Sequence, residues 1–153
     1  MTVHGLEVRP LTAAERPRLI DLLTREWGSS QIVSRGQIHD AATAPALGAF
    51  RDGRMAGLAT YETREDQCEV LTLNAFTPRQ GIGAALLRAT ARAAKSAGCR
   101  RLWLITTNDN LDAIRFYERQ GLRLVAVHPG AVDQARKLKP SIPEFAPDGA
   151  RIS

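Results

Sequence analysis

Cysteine, metal-ligand spacing and long apolar runs are scarce in this sequence of 153 residues. Cys68 and Cys99 lie far apart and form no Cys-x-x-Cys pair, so we predict two free thiols. The three histidines are scattered, and this excludes any recognisable metal-binding motif. No stretch approaches the roughly 18 consecutive apolar residues of a membrane helix, and the first ten residues lack the apolar core of a signal peptide. We therefore expect a cytoplasmic protein with no bound metal and no membrane partner.

Acidic residues are outnumbered, with 16 Asp and Glu against 21 Lys and Arg, which gives a net charge of +5. The arginines are spread along the chain and no block of five like charges occurs. This pattern favours a solvated basic face that steers an anionic cofactor over a nucleic-acid-binding patch. The length suits one core, so we predict a single domain over residues 1–153. Residues 129–153 are predicted as an irregular tail with a short helix near residues 132–138.

The N-terminal region predicts one strand followed by one amphipathic helix. The strand is predicted at residues 6–9, and Thr12 and Glu15 have the spacing of a capping box at a helix start. The residues at 28–30 are expected to end the helix. Four apolar residues are predicted to form its inner face: Leu19, Ile20, Leu23 and Trp27.

The next part of the sequence predicts an irregular stretch and then an antiparallel meander. Residues 32–45 show no clear period and contain at most a short helix near residues 37–42. Strands are then predicted at residues 47–51, 55–62 and 69–76. Asp52 and Gly53 are typical of a tight hairpin turn between the first two of them.

The second half of the sequence changes to a helical period. Helices are predicted at residues 81–97 and 109–120, and strands at residues 102–106 and 122–128. Alternating strands and helices require crossover connections, so some strands should pair in parallel. The whole chain is therefore predicted as α+β with a mixed sheet.

The strongest chemical signal is the segment Arg79–Ala84, which follows a strand and opens a helix. Gly81 and Gly83 would let the backbone approach a bulky anion, which the first-turn N–H groups and the helix dipole attract. A tight strand–helix turn without a ligand is the alternative. A dinucleotide fingerprint is poorly supported because Leu86 stands at its third glycine, and no Gly-Lys-Ser/Thr of a Walker loop follows.

The second chemical signal lies on the helix predicted at residues 109–120. Asn110 and Tyr117 are seven residues apart, so they share one helix face two turns apart. Tyr117 taken alone fits a packed core position better than a functional one, and Phe116 favours packing. The sequence has no Gly-x-Ser-x-Gly elbow and neither cysteine has a recognisable histidine partner, so no covalent enzyme intermediate is required.

Together the glycine loop and the Asn-x-x-Ala-x-x-Phe-Tyr-x-x-x-Gly helix, which begins 27 residues after Gly83, resemble the GNAT family of N-acetyltransferases. The resemblance covers residues 46–128, and residues 6–27 also fit it. It implies a GNAT-like mixed, mainly antiparallel twisted sheet flanked by helices, with a splay between the fourth and fifth strands. It also implies acetyl-CoA as cosubstrate and direct transfer of the acetyl group to a primary amine of a small molecule or peptide, through a ternary complex.

The resemblance also implies roles for individual residues. Main-chain groups around Leu71 and Leu73 would pair with the pantetheine arm, and one N–H there would polarise the thioester carbonyl. Asn110 would contact the cofactor arm, and Tyr117 would donate a proton to the CoA thiolate. Pro78 departs from the Gln or Arg of the family loop and lacks an N–H donor. Backbone amides of six residues would hold the CoA pyrophosphate: Arg79, Gln80, Gly81, Ile82, Gly83 and Ala84.

The acceptor side is less defined by the sequence. A base must take a proton from the ammonium before the amine attacks, and we predict Glu69 in this role, with Glu62 as runner-up. Trp27, Arg35 and His39 are candidate contacts to the acceptor, although an ordinary core or surface position explains each of them better.

Three further hypotheses stay open on the sequence. The chain could be an acyl-CoA-binding sensor or partner protein without transfer activity, or it could acetylate an RNA-linked amine. No convincing strand is predicted beyond residue 142, so we expect the sheet to have an open edge. Either a second subunit covers this edge in a homodimer, or additional residues outside this sequence cover it.

Overall fold

The computed structural model describes residues 5–77 and 80–152. The chain divides into two compact units, which are described separately. The first unit comprises Met1–Gln31 and Asp40–Leu104, and the second comprises Ile32–His39 and Ile105–Ser153. Within the described ranges, no helix is long and apolar enough to cross a membrane.

The chain forms the following strands: β1 Leu6–Pro10, β2 Gln31–Ser34, β3 Gln37–Asp40, β4 Ala46–Arg51, β5 Arg54–Arg64, β6 Gln67–Ala75 and β7 Arg101–Trp103. Its α-helices are α1 Arg16–Trp27, α2 Ile82–Ser96, α3 Leu111–Arg119 and α4 Ala131–Leu138. Five strands form one sheet in the order β1-β4-β5-β6-β7, in which only β6 and β7 pair in parallel. The predicted mixed, mainly antiparallel sheet is confirmed.

The two faces of this sheet carry different helices. Helix α2 covers one face, where the buried side chains are Leu6, Leu47, Ala49, Ala59, Ile82, Ala85 and Leu86. A Cβ added at Gly57 would lie 2.6 Å from Ile82 Cγ2, so only glycine lets α2 approach β5 this closely. On the other face, Leu22 of α1 packs against Phe50 and Met55.

Helix α1 is preceded by the predicted capping box. The Thr12 N–H donates to Glu15 Oε1 at 2.8 Å, at the start of a short 3₁₀ turn, Ala13–Glu15, that leads into the helix. Gly28 ends the helix with a φ of 81°, a conformation that favours glycine. Both predicted ends of this helical segment are confirmed.

The predicted inner face of α1 is wrong in part. The buried residues are Leu19, Leu22 and Leu23, whereas Ile20 and Trp27 are 42% and 41% exposed. At about 100° per residue, Ile20 and Trp27 each lie roughly a quarter turn from the centre of the leucine stripe. They therefore flank the buried face.

The prediction that residues 32–45 are irregular, with a short helix near residues 37–42, is wrong. This stretch forms the two-stranded sheet of β2 and β3. Arg35 and Gly36 both have positive φ values, 50° and 77°, as a tight primed turn requires. The Arg-Gly pair therefore makes a hairpin here.

The meander that follows is confirmed. Strands β4, β5 and β6 pair consecutively in antiparallel fashion. Asp52 and Gly53 form the predicted turn between β4 and β5, with φ values of 53° and 74°.

Strand β7 is shorter than predicted, which has a consequence for β6. Arg101–Trp103 pairs only with Gln67–Glu69, and β6 then continues to Ala75. Among the described residues, no strand pairs with this later part of β6 on that side. The implied splay between these two strands is thus present in the sheet.

The prediction of a strand at residues 122–128 is wrong. These residues have no regular structure, and Leu124, Val125 and Val127 are about three-quarters exposed. Alternating apolar residues form a strand only where a neighbouring backbone completes the hydrogen-bond ladder. Among the described residues, no strand pairs with this segment.

The predicted short helix of the tail is confirmed as α4, and the residues after α4 fold back on it. Arg136 donates to the carbonyl oxygens of Ile152 and Pro143, at 2.7 and 2.6 Å. Over the described part of residues 142–153, the β structure is a single bridge between Phe145 and Arg151. The prediction of no regular strand in this tail is confirmed up to residue 152.

Candidate active site

The glycine loop of the first unit presents free backbone donors. Gly81 is exposed, has a φ of 74° and caps helix α2. The first bond of the helix ladder runs from the Ala85 N–H to Gly81 O at 3.0 Å. The N–H groups of Ile82, Gly83 and Ala84 precede that bond, so they can donate to an anion at the positive end of the helix dipole. Pro78 and the predicted phosphate contact Arg79 lie outside the described residues.

Gln80 connects this loop to the sheet. Its Oε1 accepts a hydrogen bond from Nη1 of Arg51, which is the last residue of β4. The side chain of Gln80 is thus directed toward the β4–β5 turn. Its predicted contribution to phosphate binding can therefore come only from its main-chain N–H or from the NH₂ group of its side chain.

Strand β6 has a β-bulge close to the part of the strand that lacks a partner on the β7 side. Thr60 of β5 pairs with Thr72, but the next residue, Tyr61, pairs with Val70. Leu71 therefore has no partner in β5, and a bulged residue leaves its main-chain groups outside the ladder. Leu71 is buried and Leu73 packs against the α2 core, so any ligand contact here is through the main chain. The main-chain roles of these two residues stay predictions.

The bulge also decides which side chains share a face. The cross-strand pairs Glu62–Glu69, Thr60–Thr72 and Leu58–Asn74 lie on one face of the sheet, because alternate residues of β5 point the same way. In a regular strand, Glu69 and Asn74 would point to opposite faces. The register shift places the predicted base, Glu69, and its runner-up on the same face as Asn74.

Trp27 also belongs to this face. Its Nε1 donates to Asn74 Oδ1 at 3.1 Å, which joins the end of α1 to the end of β6. Trp27 was predicted as an acceptor contact from the sequence, whereas Asn74 was not. The signal for Asn74 was a polar residue near the end of an otherwise apolar strand, directly before the loop.

The second unit carries the other two predicted residues of the cofactor site. Asn110 is the N-cap of α3, and its Nδ2 donates to Thr106 Oγ1 at 3.3 Å. Tyr117 lies two turns further on and packs edge-to-face against Phe116, with ring centroids 5.4 Å apart. Burial raises the pKa of Tyr117 above its ordinary value, so its hydroxyl stays protonated at neutral pH. Arg35 and His39 also lie in this unit, in the β2–β3 hairpin.

Cys68 is not placed for covalent chemistry. Cys68 is buried in β6, and burial raises the pKa of its thiol to about 11. A thiol with this pKa is almost entirely protonated at neutral pH and is a poor nucleophile. Both cysteines are free, as predicted.

Comparisons with known proteins agree with this geometry. The Acetyltransferase (GNAT) family model matches residues 11–122. The chain is 38% identical to the uncharacterized protein YdhI of Bacillus subtilis strain 168, over 88% of this chain and 84% of YdhI. It is 31% identical to the streptothricin acetyltransferase of Streptomyces lavendulae, over 79% of this chain and 65% of that enzyme.

The fold is also shared with a solved structure. The PaiA N-acetyltransferase of Thermoplasma acidophilum, in complex with coenzyme A, superposes with a TM-score of 0.66 at 20% identity. The match covers 81% of this chain and 93% of that one. Since the family model spans the glycine loop, the bulged strand β6 and the Tyr117 helix, the chain belongs to the GNAT family of acetyltransferases, whose reaction is acetyl transfer to an amine.

Proposed function

We propose that this protein transfers the acetyl group of acetyl-CoA directly to a primary amine of a small molecule, through a ternary complex. The observation that carries the proposal is the course of strand β6. Its bulge at Leu71 and its later part, which has no partner on the β7 side among the described residues, lead into a helix N-terminus with amide donors. A thioester and a pyrophosphate on one extended arm need these two kinds of donor in this order.

The loop holds the pyrophosphate of the cosubstrate. Its donors are the main-chain N–H groups from Gln80 to Ala84, with Arg79 as a further predicted contact. The dipole of the 15-residue helix α2 adds to the attraction. The likeness to a PaiA structure that contains coenzyme A supports this assignment.

The bulge positions the reacting thioester. Main-chain groups at Leu73 pair with the pantetheine arm, and an N–H at Leu71 donates to the thioester carbonyl oxygen. As the amine nitrogen attacks the carbonyl carbon, negative charge develops on that oxygen, and a fixed N–H donor stabilises it. The carbon–sulfur bond then breaks, the amide is released, and the electron pair leaves on the CoA sulfur.

Two proton transfers complete the reaction. Glu69 accepts a proton from the acceptor ammonium, since only the neutral amine attacks. Glu62, its direct cross-strand neighbour, is the second candidate. The protonated hydroxyl of Tyr117 donates to the departing thiolate, and Asn110 contacts the cofactor arm.

The acceptor is proposed to be a small molecule with a primary amine. The relative from Streptomyces lavendulae is named for acetylating streptothricin, and this supports a small-molecule acceptor over a peptide or an RNA-linked amine. Trp27 and Asn74 line the face on which Glu69 lies.

The test is release of CoA thiol from acetyl-CoA in the presence of a panel of small primary amines, peptides and aminoacyl-RNA. We expect release with at least one small amine, at a rate that rises with pH as the amine deprotonates. Thiol release only with aminoacyl-RNA would move the proposal to RNA-linked amines. Tight binding of acetyl-CoA with no thiol release from any acceptor would overturn transfer and favour a sensor.

A further inference from the structure

A cavity of about 590 Å³ lies in the first unit beside the glycine loop. Its lining includes the two ends of the β4–β5 hairpin and the residues that flank the loop, among them Arg51, Arg54, Thr77 and Gln80. None of the roles proposed above uses it.

Two arginines line this cavity against a single carboxylate, that of Asp52. Arg51 and Arg54 are direct cross-strand partners on either side of the Asp52–Gly53 turn, so their side chains share one face. Like charges directly opposite each other destabilise a hairpin. Among residues 5–77 and 80–152, neither arginine forms an ion pair, although Asp52 also lines the cavity. The site therefore keeps a net positive charge.

Arg51 also has unused hydrogen-bonding capacity. Its Nη1 donates to Gln80, but its Nε is out of contact with solvent and has no acceptor among the described residues. A buried donor without a partner is costly. The guanidinium group of Arg51 lines the cavity, and its other N–H groups can donate to an anionic oxygen there. Guanidinium groups match phosphate oxygens in geometry and charge.

We propose that this cavity binds a terminal phosphate group, held by Arg51 and Arg54. The shared edge with Gln80 places this second anion site next to the loop donors. Resting on the proposed function, one source of the phosphate is the 3′-phosphate of the same CoA molecule whose pyrophosphate the loop holds. The other source is free inorganic phosphate.

The test compares the affinities of CoA and 3′-dephospho-CoA by calorimetry. In the wild-type protein we expect CoA to bind about tenfold or more tightly, the effect of one or more charge-assisted hydrogen bonds. Arg54→Ala, a change in an exposed side chain, should reduce this ratio to about one and leave 3′-dephospho-CoA affinity unchanged. Arg88→Ala removes an equally exposed positive charge from α2, outside the cavity, and should keep the wild-type ratio.

A titration with inorganic phosphate alone separates the two sources. If both CoA forms bind equally, but phosphate binds the wild type and not Arg54→Ala, the ligand is free phosphate and the site stands. Equal CoA affinities without phosphate binding would overturn the proposal, and so would a CoA preference that survives in both Arg54→Ala and Arg51→Gln. Failure of the wild type to bind either CoA form would instead reject the proposed function, and the phosphate titration would then decide the cavity by itself.

Discussion

At the scale of single residues, the chemistry depends on environments that a residue type alone does not specify. The pattern of Tyr117 favoured a packing role, and burial raises its pKa, which is compatible with both packing and the proposed proton donation. Burial raises the thiol pKa of Cys68 as well, which removes that group from nucleophilic chemistry. The same physical effect is therefore compatible with one candidate and excludes another.

The role of Tyr117 predicts a specific kinetic change. Tyr117→Phe should lower kcat by about 10²–10⁴-fold, the usual contribution of one acid–base group, with acetyl-CoA affinity nearly intact. Phe116→Leu, which alters packing beside the same ring, is the control and should affect stability more than kcat. Because the pKa of Tyr117 is raised, this residue should remain mostly protonated at about pH 10, where an ordinary tyrosine is already half ionised, and its contribution to wild-type activity should persist there. Wild-type turnover in Tyr117→Phe would leave this residue a packing role only.

The ion pair before helix α1 predicts how stability responds to acid. Glu15 accepts from Arg9 at 2.9 Å and from the Thr12 N–H, and mainly the Arg9 hydrogen bond lowers its pKa from 4.5 to about 2. Its contribution is thus fully present above pH 4.5 and is lost as the pH falls toward 2. Glu15→Gln should lower the melting temperature at pH 7, and the difference from wild type should shrink below pH 4.5.

Glu7→Gln provides the control for that experiment. Glu7 contacts the same arginine at 3.0 Å but is far more exposed, so its removal should change the melting temperature less. A pH-independent difference between Glu15→Gln and wild type would contradict the linkage.

At the scale of the elements, strand β6 has a buried hydrogen bond between two side chains next to its β-bulge. The hydroxyls of Thr60 and Thr72 lie 2.6 Å apart and are both fully or almost fully buried, one residue from the bulge. This bond fixes the register immediately beside Leu71. The bulge is therefore held by a specific side-chain pair as well as by the ladder.

Removing one member of this pair should be worse than removing both. Thr72→Val leaves the Thr60 hydroxyl buried without its partner and should cost about 1–3 kcal/mol in the free energy of unfolding. The double change of Thr60 and Thr72 to valine should recover part of that loss, because neither hydroxyl is then stranded. Denaturant unfolding measures all three variants, and additive costs would contradict a direct bond.

Helix α2 offers a matched pair of glycines at its two ends. Gly81 and Gly98 have φ values of 74° and 88°, and a Cβ at either would meet no atom within 4 Å. Alanine at each position should therefore cost a similar backbone strain of about 1 kcal/mol. Only Gly81→Ala, beside the proposed pyrophosphate, should also weaken CoA binding. Equal CoA affinities in the two variants, measured by calorimetry, would contradict the loop assignment.

At the scale of the whole molecule, the sequence predicted the first unit better than the second. The β4–β6 meander and the loop-to-helix junction follow from local turn residues and clear periods, so they were predictable. The strand at residues 122–128 was not, because a strand needs a neighbouring backbone to complete its hydrogen-bond ladder, and no local pattern reports whether that neighbour is present. The Glu69–Asn74 face was also beyond the sequence, since a one-residue bulge reverses the side-chain alternation.

The two units should differ in local stability. Helix α2 contributes six buried residues, whereas α3 and α4 contribute none. Amides in α2 and β5 should therefore exchange with deuterium much more slowly than those in α3 and α4. Hydrogen-exchange mass spectrometry resolves these peptides, and equal protection in all four elements would contradict the difference.

The hydrogen bond between Trp27 and Asn74 places an intrinsic fluorophore on the proposed acceptor face. Trp27 is partly exposed and lies on the face proposed for the acceptor, so a ligand that displaces water there would shift its emission. The other tryptophan, Trp103, ends β7, and a Trp103→Phe variant would leave a single fluorophore. A fluorescence titration can then rank candidate amines by affinity before any of them is tested for turnover.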